Sequence, residues 1–103
     1  MHDIKRIAFL INDPQDTWEG LRSTLGLLVE NMWAAAFFID CELSPPPSKS
    51  KADFEENLEM LVDLEGEAYS NVAANADNYE NITYLPLAEM IEKIKTYQLV
   101  VPF

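Results

Sequence analysis

The sequence predicts an α/β protein, a three-layer α/β/α sandwich built around a five-stranded, mostly parallel sheet. Two observations support this fold class. The spacing of the apolar residues alternates along the chain between strand-like runs and helix-like stripes. Helices separate the strand-like runs, and neighbouring parallel strands need such long crossover connections. The length of 103 residues is that of one domain, which we expect to span residues 1–103.

The first strand is predicted at residues 4–11, because its continuous apolar run is typical of a strand covered on both faces. Residues 12–14, Asn-Asp-Pro, end this strand. A helix is predicted over residues 16–31, with an apolar stripe along one side. Asp16 and Glu19 have the spacing of a capping box, which predicts the start of this helix.

Two glycines, Gly20 and Gly26, weaken the first helix by conformational entropy, so we expect close approach to the sheet to be the reason for them. The second strand is predicted at residues 33–40, where an aromatic pair and an isoleucine favour a strand over a helix. The proline-rich residues 44–48 form an extended loop that is too short to link two domains and is either a lid or a connection.

The second half of the chain repeats the alternation. A second amphipathic helix is predicted at about residues 51–65, with Gly66 placed to end it. We expect strands at residues 68–72, 82–85 and 98–103, with an irregular helix at 73–81 and a helix from about residue 87 to 94. Pro102 suits the end of the last strand better than its middle.

The charge is concentrated in one stretch of the chain. Of 18 acidic residues, eleven lie between residues 52 and 92, where Lys and Arg are absent, and the formal net charge is −11. Such a chain repels phosphate backbones and anionic lipid headgroups, so neither nucleic acid nor a membrane is an expected partner. The excess charge favours solubility, with an acidic docking surface as the alternative. The first residues lack the pattern of a signal peptide, and we expect a cytoplasmic location.

Several kinds of chemistry lack the residues they need. The turn after the first strand contains no glycine, which excludes a glycine-rich phosphate loop there. His2 is the only histidine and lies near the terminus, so a catalytic triad has no base. The acidic residues spaced four apart at Glu55, Glu59 and Asp63 are interpreted as a solvated helix face. We therefore predict no metal and no cofactor.

Ligands of parallel α/β sheets bind beyond the carboxyl ends of the strands, which indicates where a site would lie. Leu85 and Pro86 follow the fourth predicted strand at this edge. The polar residues predicted to bind a ligand there are Asn12, Asp13, Asp40, Cys41, Ser70 and Asn71. Asp13 and Asp16 have an alternative interpretation as phosphoacceptor or Mg²⁺ ligands, but we favour turn formation and helix capping as their roles.

Cys41 is the one cysteine and the strongest nucleophile available. A single cysteine excludes an internal disulfide and a Cys-x-x-Cys site. Asp40 and Glu42 flank it, and nearby negative charge raises the pKa of a thiol and depletes the thiolate. We therefore expect an unreactive, partly buried thiol.

The order of elements and several short phrases resemble the DsrE/DsrF-like proteins over nearly the whole chain. The phrases are residues 5–11, Gly20-Leu21, residues 25–28, residues 36–40, residues 85–91 and residues 99–101. The resemblance implies a five-stranded parallel sheet, assembly into trimers or hexamers, and association with related sulfur-relay proteins. In several members a cysteine after the third strand carries a persulfide. Here residues 70–75 contain no cysteine, and neither a hydroxyl nor an amide can carry a sulfane sulfur.

Three functional hypotheses follow. The leading one is a noncatalytic DsrE/DsrF-like subunit or binding module, with an uncharged polar site formed by Asn12, Ser70 and Asn71. The alternative is a sulfur carrier that relays a persulfide through Cys41. The third is a receiver-like domain that uses the acidic residues after the first strand, although no lysine directly follows the third or fourth strand as that mechanism requires. We do not expect a domain this small to bury all of its aromatic residues, among them Trp18, Trp33 and Phe103, and exposed aromatic residues predict a homo-oligomer.

Overall fold

The computed structural model describes residues 6–103, and it contains one sheet in which all neighbouring strands are parallel. The predicted α/β class and five-stranded parallel sheet are confirmed. His2 and the first two residues of the predicted strand 4–11 lie outside the described residues. The lateral order is β4-β3-β2-β1-β5. The strands are β1 (Arg6–Ile11), β2 (Trp33–Phe38), β3 (Glu67–Ser70), β4 (Thr83–Tyr84) and β5 (Leu99–Pro102).

Four helices cover the two faces of the sheet: α1 (Thr17–Val29), α2 (Lys51–Asp63), α3 (Ala73–Asn78) and α4 (Leu87–Ile94). From β1 to β4 the chain advances in one direction across the sheet, and it then returns to place β5 beside β1. Because crossover connections are right-handed, the return requires a helix on the opposite face. Accordingly α1 and α2 pack on one face and α4 on the other, which gives the three layers. Among residues 6–103, no helix combines the length and apolar character needed to cross a bilayer.

The central strands carry apolar side chains on both faces, which explains their continuous apolar runs. In β2, Phe38 faces α1 and α2 while Phe37 faces α4, and both are fully buried. In β1, Phe9 and Ala8 alternate between the same two faces. Burial of both faces of a strand removes the alternation of polar and apolar residues that marks half-exposed strands.

The starts and ends of the elements differ from the prediction for local reasons. The predicted capping box at Asp16 and Glu19 is wrong: Asp16 makes no side-chain cap, and Asp13 instead accepts a hydrogen bond from the Gln15 amide in a 3₁₀ turn, Pro14–Asp16. A capping box does form at the start of α2, between Ser50 and Asp53.

Gly66 does not end α2 through a left-handed conformation, as its position suggested. The left-handed residue is Glu65, with φ 66°, while Gly66 has a negative φ. Gly66 is instead required by space, because a Cβ atom there would lie 2.4 Å from Leu28 Cδ1 and 3.0 Å from the Leu61 carbonyl oxygen. Close packing between α1 and the end of α2 therefore explains this glycine.

Pro102 lies at the end of the edge strand β5, as predicted. A proline cannot donate to the ladder, and the amide of Phe103 donates instead to the Leu10 carbonyl at 2.9 Å. The ladder between β1 and β5 thus continues to the last residue of the chain.

The two glycines of α1 have different environments. A Cβ atom on Gly20 would lie 2.4 Å from Ile11 Cδ1 and 2.6 Å from Ile11 Cγ1, which confirms the expected close approach to the sheet. At Gly26 the same expectation is wrong, because a Cβ atom there would meet no atom within 4 Å. Gly26 lies on the exposed side of the helix.

We expect these glycines to respond in opposite ways to alanine. Gly20→Ala should lower the free energy of unfolding by about 1–3 kcal/mol through overpacking against Ile11. Gly26→Ala should raise it by about 0.5–1 kcal/mol, because alanine loses less backbone entropy in a helix. Urea denaturation followed by circular dichroism measures both. Equal effects of the two substitutions would contradict the assigned difference in packing.

Candidate functional site

The carboxyl ends of β2 and β3 meet through a reciprocal pair of hydrogen bonds. The Asp40 amide donates to Asn71 Oδ1 at 2.8 Å, and Asn71 Nδ2 donates to Asp40 Oδ1 at 2.7 Å. Asp40 has φ 54°, a left-handed conformation that aspartate tolerates better than most residues. This turn also ends β2 at Phe38 rather than at residue 40. Two of the predicted site residues therefore lie together, and each fixes the other.

Ser70 lies beneath this pair and is fully buried. Its hydroxyl donates to the Phe38 carbonyl at 2.8 Å and accepts from the Val72 amide at 3.0 Å. It also accepts from Asn75 Nδ2 at 2.9 Å. The hydroxyl is consequently saturated, and it holds the ends of β2 and β3 in register.

Asn75 is the central polar residue of this region, and it was not among the predicted site residues because it does not directly follow a strand. It lies in α3 and is buried. Its amide nitrogen also donates to the Cys41 carbonyl at 2.9 Å, and its oxygen accepts from the Leu43 amide at 3.0 Å. The only sequence signal was its position in the asparagine-rich segment after β3. Asn75 fixes the backbone on both sides of Glu42.

Asn12 and Asp13 lie at the end of β1, and both are exposed. Asp13 is engaged in the 3₁₀ turn through the Gln15 amide. Thr17, at the start of α1, joins this turn to the loop after β2, because its hydroxyl donates to the Pro14 carbonyl and accepts from the Ser44 amide. The structure thus pairs Asp40 with Asn71, places Ser70 in an adjacent network with Asn75, and leaves Asn12 on the surface.

Cys41 is buried, with 5% of its surface exposed. Its thiol donates to the Ile11 carbonyl, with Sγ 3.5 Å from the oxygen. Burial, and then the negative charges of Asp13 and Asp40, raise the pKa of Cys41 from 9.0 to about 11. As predicted, the charge of Asp40 raises the pKa of the thiol. The second carboxylate that raises it is Asp13, and not Glu42 as predicted. Burial is the largest cause. At neutral pH the thiol is therefore protonated.

An open groove of about 760 Å³ lies at this edge of the sheet. Its walls include Asp40, Cys41, Glu42, Val72 and Ala74. Of the described residues that line it, the charged ones are Asp40 and Glu42, both acidic. A groove with this lining disfavours anionic ligands such as phosphates.

The acidic residues of α2 remain on the surface. Glu55, Glu59 and Asp63 are exposed, consistent with a solvated helix face. Within the described part of the chain, no group of three or more His, Cys, Asp or Glu side chains is arranged to hold a metal ion. Every buried side-chain nitrogen or oxygen of residues 6–103 has a hydrogen-bond partner. The polar groups of the network are therefore engaged with one another.

Comparison of the chain with protein-family models, with curated proteins and with solved structures finds no match.

Proposed function

We propose that the chain is a noncatalytic DsrE/DsrF-like subunit that acts by binding and assembly rather than by sulfur transfer. The environment of Cys41 is the observation that carries this proposal. Sulfur relay requires a thiolate that attacks and later leaves. A thiol that donates to a carbonyl oxygen, and whose pKa is raised by burial and by the charges of Asp13 and Asp40, is poorly suited to that chemistry.

The hydrogen-bond network supports the same proposal. The polar groups of Ser70 and Asn75 form hydrogen bonds with backbone atoms near the ends of β2 and β3. Such groups position a loop and have little capacity left for substrate. The parallel five-stranded sheet is also the fold that the resemblance implies.

Alkylation of Cys41 tests the proposal directly, because the chain has no other cysteine. At pH 8 we expect the folded protein to react with iodoacetamide about 100-fold more slowly than the unfolded protein, given the rise of the pKa from 9.0 to about 11. The rate should increase about tenfold per pH unit up to about pH 11, since it follows the thiolate fraction. Mass spectrometry of quenched samples measures the rate.

The same samples distinguish the sulfur-carrier alternative. Incubation with a persulfide donor should leave the mass of the folded protein unchanged, as it leaves the mass of Cys41→Ser unchanged. Fast alkylation at neutral pH together with a gain of one sulfur atom on Cys41 would overturn the noncatalytic proposal in favour of sulfur transfer.

Self-association is part of the proposed function, and β5 supports it. Residues 98–103 contain no charged side chain in a chain of net charge −11, which limits repulsion between copies at this edge. Leu99 and Phe103 are 47% and 39% exposed on this edge strand. An exposed apolar edge is a common surface for pairing with another chain.

We expect sedimentation at micromolar concentration to give an oligomer, and Leu99→Lys to shift it to a lower mass. Lysine on an edge strand opposes pairing with another copy. Leu87→Lys, at a similarly exposed leucine of α4, is the matched control and should leave the mass unchanged. A monomeric wild-type protein would refute the predicted assembly.

A further inference from the structure

A second concave surface lies at the opposite end of the sheet, where the strands begin. We call it the amino-end cleft; its volume is about 280 Å³, and it is lined by Leu28, Asn31, Met32, Trp33, Leu64 and Glu65. It adjoins a smaller cavity of about 190 Å³, which shares Trp33 and Glu65 with it and also contains Glu67. Trp33 and Glu65 thus contribute to the walls of both cavities.

Two apolar side chains that line the amino-end cleft are exposed. Trp33 is 50% exposed and Leu64 is 40% exposed. Val29, which follows the lining residue Leu28 at the end of α1, is 68% exposed. Folding of the single chain leaves this surface in water, although a half-exposed tryptophan beside a cavity is the kind of side chain that dominates binding interfaces.

The rim of the amino-end cleft is negatively charged. Glu65 lines both cavities, and Glu67 lines the smaller one. Glu30 and Asp63 are adjacent in sequence to the lining residues Asn31 and Leu64. The carboxyl termini of α1 and α2 both lie here, and each carries the negative end of a helix dipole. Neither of these two described helices has a basic residue in its last turn.

One cation, Arg6, lines the smaller cavity, where its guanidinium lies 4.7 Å from the Tyr97 ring centroid and 5.9 Å from that of Trp33. It therefore packs on the aromatic rings, and the rim beyond it keeps an excess of negative charge.

These acidic residues are placed where they oppose folding. A carboxylate near a helix carboxyl terminus is unfavourable, because both carry negative charge. Solubility could be provided by acidic residues anywhere on the surface and does not require them beside an exposed tryptophan. Apolar side chains within a negative rim are complementary to a ligand that is itself apolar and positively charged.

We propose that the amino-end cleft binds a cationic amphipathic peptide segment, which inserts an apolar side chain beside Trp33 and places Lys or Arg on the rim of Glu30, Glu65 and Glu67. The inference rests on the proposed binding function and names the partner class for it. A second copy of the chain is a poorer occupant, because it would bring another −11 charge against the acidic rim.

A designed peptide tests the inference. The probe is a fluorescein-labelled helix of about four turns with Leu at the positions of one face and Lys elsewhere. Fluorescence anisotropy at low salt should show saturable binding that weakens as salt is added. Two matched peptides serve as controls, one with Glu in place of every Lys and one with Ser in place of every Leu, and both should bind at least about tenfold more weakly.

Variants of the protein locate the binding surface. Trp33→Ala should weaken binding by at least about tenfold, and Leu64→Ala provides a second test at a smaller, exposed side chain. Glu30→Gln combined with Glu65→Gln should weaken binding and reduce its salt dependence. Glu55→Gln combined with Glu59→Gln removes the same charge from exposed positions of α2 that do not line the amino-end cleft, and it should leave binding unchanged.

Several results would overturn the inference. If Trp33→Ala and Leu64→Ala bind the peptide as tightly as the wild type, the peptide binds elsewhere. The same conclusion follows if the two double Glu→Gln variants weaken binding equally. Equal binding of the Ser-containing peptide would indicate charge attraction without the cleft. A lower sedimenting mass of Trp33→Ala would instead assign this surface to contacts between copies. The proposed inertness of Cys41 is tested separately by alkylation, so the two proposals fail independently.

Discussion

Replacing Phe37 with alanine is expected to lower the free energy of unfolding by about 3–5 kcal/mol, the largest effect of any substitution proposed. Phe37 is fully buried in the central strand β2. Its ring stacks on Tyr69 with centroids 5.3 Å apart and meets the edge of Tyr97 at 5.6 Å. Alanine would leave a cavity between the sheet and α4, and the rigid strands on both sides limit how far it can collapse.

Phe103→Ala is the matched control, because Phe103 is also an aromatic residue near the sheet but is 39% exposed. Its ring contacts Phe9, with centroids 6.3 Å apart. Less apolar surface is removed from water at this position, so the loss should be clearly smaller. Urea denaturation monitored by circular dichroism compares the two variants. A smaller loss for Phe37→Ala than for Phe103→Ala would contradict the described core.

Asn75→Ala should lower the free energy of unfolding by about 2–4 kcal/mol, although it removes little apolar area. The substitution leaves the Leu43 amide and the Cys41 carbonyl without the partners they have in the folded chain. Buried backbone groups without partners carry the full cost of desolvation. Because the network fixes the backbone around Cys41, the variant should also alkylate faster than the wild type.

Asn78→Ala is the control for this second prediction, since Asn78 ends the same helix α3 and is exposed. It should change stability by less than about 0.5 kcal/mol. Denaturation gives the stability and iodoacetamide labelling gives the accessibility of the thiol. An unchanged labelling rate in a destabilised Asn75→Ala would show that the network does not shield Cys41.

The strands and helices could be predicted because the spacing of apolar residues differs between them. The lateral order of the strands could not be predicted. Nothing in the residues of β5 specifies that it pairs with β1 rather than with β4. The order also decides which face α4 covers, through the handedness of the crossovers. The close approach of Gly20 to the sheet could be expected, but its partner Ile11 and the contact of Gly66 with Leu28 of α1 depend on the assembled fold.

The candidate site could likewise be predicted only in part. Asp40, Ser70 and Asn71 could be placed together in advance, because parallel strands end at one edge of a sheet. Asn75 could not, since its role depends on how α3 turns back toward the loop after β2. The amino-end cleft lies away from the edge at which such folds usually bind ligands. Its apolar residues come from the ends of two helices and the start of a strand, which are distant in sequence.

The neighbouring position of β1 and β5 has a consequence for the order of folding. Among the five strands, the first to leave the ribosome pairs with the last, Ile7 with Leu99 and Leu10 with Pro102. Until β5 has been synthesised, the edge of β1 that pairs with it has unsatisfied amide and carbonyl groups. These groups can pair wrongly with other nascent chains. Closing a contact across so much intervening polypeptide is slow, so we expect completion of the sheet to be the final, rate-limiting event of maturation.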